Sequence, residues 1–321
     1  MKILVTGGSG LLGSAVLREL RAARPDATLS VLDLVPPDAP TDEFVAGDVL
    51  QFPLVQRAAT GCTHIVHLAA ALGVGQTEAA KDVCMEVNHQ GTRNVLQAAH
   101  RAGVQNLVFA SSSEIYGEQP VQPISEEATP KPMSVYASSK LKAEEAVREY
   151  RAAFGYPWRI VRFFNVFGPG QRRDFVVSRF AEAIRRAESP KLYGPGTQVR
   201  CFCFASDAAR GLAKVLLAKP EVDEVFNIGN SSEPISIAGL AQRMIELSKS
   251  HVSPIYVPFT DSDRAEARET FSRIPDVRRA EAVLGFRATV PLEQGLIAVL
   301  AHEGLIKPGT SRTQLRAVNG R

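Results

Sequence analysis

"VTGGSGLLGS", residues 5–14, joins a short apolar run to a stretch of helical periodicity, and the rest of the chain is read outward from it. Gly7, Gly10 and Gly13 stand three apart, while Gly8, Gly10 and Gly13 equally satisfy GxGxxG. Missing side chains let a backbone approach a pyrophosphate, and the N-terminus of a following helix stabilises its charge. Alone, such a run can be a tight strand-to-helix turn. Its flanks say more. Ile3–Val5 reads as a strand, Leu11–Ala23 as a helix, and Leu29–Leu32 as a second strand ending at Asp33. A carboxylate there grips the adenosine ribose hydroxyls of a dinucleotide. No arginine follows Asp33 closely, and its charge repels a ribose 2′-phosphate, so NAD is expected rather than NADP. Gly7, Gly10, Leu11, Leu12 and Gly13 are the expected pyrophosphate cradle. Asp48, in Gly47-Asp48-Val49, is expected at the adenine with Val49, or else is a solvated turn acid.

Beyond this unit the alternation continues. His64–Leu68, Leu107–Ala110 and Arg159–Phe164 read as strands buried on both faces, with helices at Val87–Ala102 and Val135–Phe154 between them. The pattern predicts an α/β fold: a Rossmann-type doubly wound parallel sheet with a smaller C-terminal substrate-binding lobe. The expected boundaries are 1–167 for the first domain, with 204–235 returning to it. Residues 168–203 and 236–305 form the lobe, and 306–321 a polar tail. Strand-like Glu224–Ile228 and a helix near Asp207–Leu217 fit the first sheet. A helix at Ile237–Ser248 is compatible with it too, although the boundary puts that helix in the lobe. Gln119–Ser134 carries four prolines and reads as a long lid or binding loop.

Composition excludes several classes. Thirty-seven basic against 34 acidic residues give a net charge of +3, with no basic block suited to nucleic acid. No apolar run reaches the roughly 18–20 residues of a membrane helix, and the start runs directly into a strand with no signal peptide, so a cytoplasmic protein is expected. Cys62, Cys84, Cys201 and Cys203 form no CxxC pair, and the six histidines are scattered. Packed, reduced thiols are the reading, and no metal site is expected. Cys201 and Cys203 share one face if their stretch is a single strand.

Two further stretches carry chemistry. "FASSSEIYG" (109–117) places three serines, a glutamate and a tyrosine at the end of a buried strand, more polarity than a turn needs. "YASSK" (136–140) sets Tyr136 and Lys140 four apart, on one helix face. A tyrosine must drop ~3 units from its reference pKa of ~10 to act as a base near neutrality, about 4 kcal/mol. A cation at ~4 Å in a partly buried site supplies about that much, and a nicotinamide ring's charge adds to it. Such a pair alone is common on solvated faces; downstream of the glycine turn and the serines it predicts a catalytic base.

Together these motifs resemble the extended short-chain dehydrogenases/reductases that act on nucleotide sugars. The resemblance also rests on "HLAA" (67–70), "VNHQGTRNVLQAA" (87–99), "RFFNVFGPGQ" (162–171), "FNIGN" (226–230), "PDVRRAEAVLGF" (275–286) and "VPLEQGL" (290–296). It implies that Tyr136 takes a proton from a sugar hydroxyl while NAD+ takes the hydride. Lys140 then lowers the phenol's pKa and holds the nicotinamide ribose, and Ser112 hydrogen-bonds the same sugar hydroxyl. Leu68, Ala69 and Ala70 are implied at the cofactor, and Asn165, Arg200 and Arg273 at the substrate's diphosphate.

Ser112-Ser113-Glu114 resembles the Thr/Ser-x-Glu of sugar-nucleotide 4,6-dehydratases, whose glutamate removes the C5 proton. Some of those enzymes have aspartate where Ser113 stands, as the acid toward the leaving C6 oxygen. The triplet also resembles the Thr-Ser-Glu of UDP-glucuronate decarboxylases, as "RCFCFASD" (200–207) and "RIPDV" (273–277) do. A UDP-sugar dehydratase, with a UDP-hexose or UDP-N-acetylglucosamine the expected substrate, is the preferred reading; a 4-epimerase is second, a decarboxylase third, and a non-catalytic NAD-binding sensor the outside alternative. Relatives dimerise through the two helices matching Val87–Ala102 and Val135–Phe154, which implies a homodimer unless their alanine faces bury against their own sheet.

Overall fold

Seven parallel strands form one sheet in a computed structural model that describes residues 1–219, 225–261 and 269–307. They are β1 (Lys2–Thr6), β2 (Thr28–Asp33), β3 (Glu43–Ala46), β4 (His64–His67), β5 (Asn106–Ser112), β6 (Arg159–Phe163) and the later strand Val225–Ile228. Their order is β3-β2-β1-β4-β5-β6 followed by Val225–Ile228. The sequence missed only β3, a four-residue edge strand whose Glu43 and Phe44 are exposed. Four residues are too few to show periodicity, and the strand is fixed by pairing with β2. Glu224 lies outside the described residues.

Each inner strand buries alternate residues on opposite faces. Ile3, Val5 and Val31 meet Val16, Leu17 and Leu20 of the helix Leu11–Ala23, and Leu212 and Val215 of the helix Ala205–Leu216. Leu4, Ile65 and Leu107 meet the helices Phe52–Ala59, Gly91–Arg101 and Val135–Phe154 on the other side. Ala98, Ala99, Ala143 and Ala146, offered by sequence to a second copy, are buried in that second cluster of the same chain. The segment expected as one helix from Val87 begins instead with a π-helical turn, Glu86–Gln90.

A third cluster lies apart from the sheet, built from Val176–Arg185, Ile237–Ser248 and Leu292–His302. Ile237–Ser248 therefore packs in the lobe and not on the sheet: Leu240, Ala241 and Met244 meet Phe180 and Leu296. Conversely, Ala280 and Phe286, inside the stretch 236–305, pack in the sheet's first cluster. Ile306 packs on the lobe, and residues 308–321 of the expected tail lie outside the described residues.

Two expectations are corrected. Cys201 and Cys203 do not share a strand: the first ends Val199–Cys201, the second begins Cys203–Phe204, and the two strands pair with different partners. Both thiols are buried, which pushes Cys201 up to about 12 and raises Cys203 further. The proline-rich loop is not a free lid. Ile124 is buried, its N–H donates to the Ile274 carbonyl at 2.8 Å, and its own carbonyl accepts from Asp276 at 2.9 Å.

Candidate functional site

A cleft of about 1070 Å³ runs along the carboxyl ends of the strands and reaches the lobe. It opens where β1 has β2 on one side and β4 on the other, so successive crossovers leave in opposite directions and their loops part. Every residue the sequence assigned to catalysis, cofactor or substrate lines it. These are Gly7, Gly10, Leu11, Leu12, Gly13, Asp33, Asp48, Val49, Leu68, Ala69, Ala70, Ser112, Ser113, Glu114, Tyr136, Lys140, Asn165, Arg200 and Arg273.

The glycine ambiguity is resolved by contact. Gly7 has φ +74°, and a Cβ there would lie 2.6 Å from the Ala69 nitrogen. A Cβ on Gly13 would lie 2.2 Å from the Gly7 oxygen, whereas one on Gly10 would meet nothing closer than 3.6 Å. Gly8 does not line the cleft; a Cβ on it would strike Val31 at 2.8 Å. Gly10 is the N-cap of Leu11–Ala23 and supplies no capping side chain, so the first-turn N–H groups face an open approach. Asp33 is fixed by the N–H groups of Ser9 and Leu34 at 2.9 and 2.7 Å. This cradle and carboxylate fit a dinucleotide. Replacing Asp33 by Asn is expected to weaken NADH binding about tenfold, the worth of a charged hydrogen bond, and to spare NADPH. Fluorescence titration of both nucleotides measures it, and an unchanged NADH-to-NADPH ratio would refute the assignment.

The chemical groups converge where β5 ends. Ser112 caps the 3-10 turn Ser113–Tyr116, its Oγ accepting from the Glu114 N–H at 3.1 Å. Ser134 caps Val135–Phe154 by accepting from Ala137, and donates to Glu114 Oε2 at 3.4 Å. The cap of one segment thus ties the carboxylate of the other, with Tyr136 in the helix's first turn. Ser113 is buried.

Lys140 does not pair directly with the phenol as the i,i+4 spacing suggests. Its Nζ donates to the Ala110 carbonyl at 2.8 Å, lying 4.8 Å from the Phe109 ring centre and 6.0 Å from that of Tyr136. Burial brings the ammonium down to about 8. Burial and the Glu114 charge push the Tyr136 phenol above its ordinary value, with the Ser112 hydroxyl opposing them. The depression expected from sequence is therefore not supplied by the chain's own charges.

A pH prediction follows from Lys140. Between about 8 and 10.5 the unfolded chain holds a proton on this lysine that the folded chain has lost, so stability gains with rising pH. Lys140→Met lacks this gain. Across that interval the parent should gain about 3 kcal/mol on the variant, read by urea denaturation at a series of pH values; a constant difference would contradict a lysine whose pKa burial has lowered.

Other polar groups frame the site. Asn88, within the π-helical turn, accepts from the Ala71 N–H at 2.7 Å and donates to the Ala71 carbonyl and Ser139 Oγ at 3.1 and 2.9 Å. It ties a cleft-lining loop to the Tyr136 helix. His67 is buried between Thr6 and Thr92 at 2.7 and 3.0 Å and is kept neutral, brought down to about 3 by burial and the Lys140 charge. Asn165 has φ +39°, a left-handed conformation that asparagine adopts more readily than most residues, and its Nδ2 donates to the Cys201 carbonyl at 3.1 Å. Strand Ser272–Arg273 pairs with Val199–Cys201 so that Arg273 lies opposite Arg200. Arg200 also meets the Glu269 carboxylate at 3.0 Å, and the Arg179 guanidinium lies 4.9 Å from the Tyr193 ring centre. Glu269, Arg179, Tyr193 and Gln198 line the cleft but carry no motif.

Comparison with known proteins agrees with this geometry. The chain is 33% identical over 311 residues to a UDP-N-acetyl-alpha-D-glucosaminuronate decarboxylase of Bacillus cytotoxicus, covering 92% of this chain and 95% of that one. The structure of MoeE5 in complex with UDP-glucose and NAD superposes with a TM-score of 0.85 at 30% identity, covering 94% and 98% of the two chains. DesIV, a dTDP-glucose 4,6-dehydratase from Streptomyces venezuelae with NAD and TYD bound, gives 0.86 at 30% identity, covering 96% and 99%. The model of the NAD dependent epimerase/dehydratase family matches residues 3–229, glycine turn, serines and Tyr-Lys pair included, and the chain belongs to that family.

Proposed function

We propose that this chain is an NAD-dependent nucleotide-sugar dehydratase that oxidises C4 of a UDP-hexose, removes the C5 proton and expels the C6 hydroxyl as water. The observation that carries the reading is Glu114: a half-buried carboxylate in the same cleft as Tyr136, near enough for its charge to raise the phenol. A reaction confined to C4 needs no carboxylate to take a C5 proton. A C4 ketone acidifies C5–H, and a carboxylate is the natural acceptor of that proton.

In this reading the Tyr136 oxygen accepts the C4 hydroxyl proton, Ser112 orients that hydroxyl, and Lys140 places its positive charge behind the phenol. When bound, NAD+ supplies the hydride acceptor, the ring charge that favours the phenolate, and the hydride returned at C6 (a 4-keto-6-deoxy sugar) or at C4 (an exocyclic 5,6-alkene). Ser113 offers no acid where some 4,6-dehydratases have aspartate. Glu114, having accepted the C5 proton, therefore passes it to the departing C6 oxygen. Arg200 and Arg273, opposite one another across two strands, are assigned to the diphosphate and Asn165 to its approach.

The Bacillus relative favours a second reading, oxidative decarboxylation. A C4 ketone on a uronate is a β-keto acid and loses carbon dioxide without a C5 base. Incubation with UDP-N-acetylglucosamine in D2O, followed by mass spectrometry and proton NMR, separates the readings. Loss of water with an alkene or 4-keto signal supports dehydration. Unchanged mass with inverted C4 makes the enzyme an epimerase, and carbon dioxide released from UDP-glucuronate makes it a decarboxylase.

A further inference from the structure

We propose that Arg162 is a positioning residue: one buried guanidinium that sets the Ser112–Glu114 turn against the helix bearing Tyr136 and Lys140. The inference rests on the proposed roles of Tyr136 and Glu114. Arg162 lies within β6 and is 3% exposed. Its Nε and Nη2 donate to Glu144 Oε1 and Oε2 at 2.9 and 2.7 Å. Its Nη1 donates to the Tyr116 hydroxyl at 2.9 Å and to the Glu126 carbonyl at 3.0 Å.

The two arms reach the two halves of the chemistry. Glu144, fully buried, stands two turns beyond Tyr136 and one beyond Lys140, on the same helix face. Tyr116 closes the 3-10 turn that begins beside Ser112 and contains Glu114. The Tyr116 hydroxyl in turn donates to Asn227 Oδ1 at 2.8 Å, and Asn227 Nδ2 donates to the Ile124 carbonyl at 3.0 Å. Burial pushes the Tyr116 phenol up to about 12, so it remains a donor.

A buried ion pair is a weak source of stability, because desolvation offsets its attraction; what it supplies is one arrangement among many. The planar fork of arginine fixes two directions at once, which a lysine ammonium does not. Without the arm to Tyr116, the turn is held by the Ser134–Glu114 contact and by backbone bonds such as Lys131 to the Ile115 carbonyl.

Tyr116→Phe tests the inference, because it keeps the ring and the Arg162–Glu144 pair while cutting the arm to the turn. With UDP-N-acetylglucosamine, or UDP-glucuronate if the parent acts on that, kcat should fall about 10- to 100-fold, the cost of misplacing a reacting group by about 1 Å. KM and NADH affinity should stay within about twofold, since neither nucleotide half is touched. Arg162→Lys should lower kcat at least as far, because an ammonium cannot replace the fork. Melting curves of both variants report the folded fraction. A parental kcat in Tyr116→Phe, or a loss no larger than the unfolded fraction, overturns the inference. If Tyr136→Phe itself keeps turnover, the functional reading fails instead.

Discussion

Tyr136→Phe is expected to lower kcat by about 10²- to 10⁴-fold, the usual contribution of a positioned general base, with NADH and nucleotide-sugar affinity within about twofold. The substitution removes one hydroxyl and keeps the ring in the first turn of its helix. Lys140 does not depend on that hydroxyl, since its ammonium is bonded to the Ala110 carbonyl. Folding should therefore be intact, and the loss should fall on hydride transfer. Single-turnover NADH formation under saturating nucleotide sugar reads this step directly, and fluorescence titration reads binding. Unaltered function in the variant would instead describe a non-catalytic NAD-binding sensor on the same fold.

Glu114→Gln should separate two half-reactions that the parent couples. Product formation is expected to fall about 100-fold or more, because the C5 proton has lost its acceptor. NADH formation should persist, so reduced cofactor and a 4-keto sugar accumulate. The pH dependence of that first step carries a sign. The Glu114 carboxylate raises the Tyr136 phenol, so removing the charge lowers the phenol's pKa. Phenolate is then available at lower pH, and the acid limb of NADH formation moves down. Stopped-flow absorbance across pH gives the limb, and proton NMR in D2O gives exchange at C5. Product formation at the parental rate would reduce Glu114 to a capping or sugar-binding role and move the 4-epimerase reading ahead of dehydration.

Both variants test readings that came from short, local patterns. The glycine turn, the carboxylate after β2, the serine-glutamate run and the Tyr-Lys spacing each depend on residues within one turn or one crossover. Such features survive in the sequence because strand and helix periodicity and the needs of a pyrophosphate are local constraints. Six of the seven strands of the parallel sheet were legible for the same reason.

Other features became visible only once distant segments met. Which glycines line the cleft was settled by Ala69 and Val31, residues from neighbouring strands and loops. Lys140 was drawn to the Ala110 carbonyl by the packing of its helix on β5, and burial of the Tyr136 phenol, with Glu114 brought alongside, reversed the direction expected for it. Arg200 met Glu269 through a strand pairing between segments about 70 residues apart, which no spacing rule encodes. The link from Arg162 to both Glu144 and Tyr116 is of the same kind. The sequence by itself determined the parallel sheet and the glycine turn that fits a dinucleotide, and it named the side chains proposed to react, because each is written in neighbours along the chain. Only the tertiary structure decided how those side chains are charged, paired and aimed, because register and burial are properties of segments that meet across the fold.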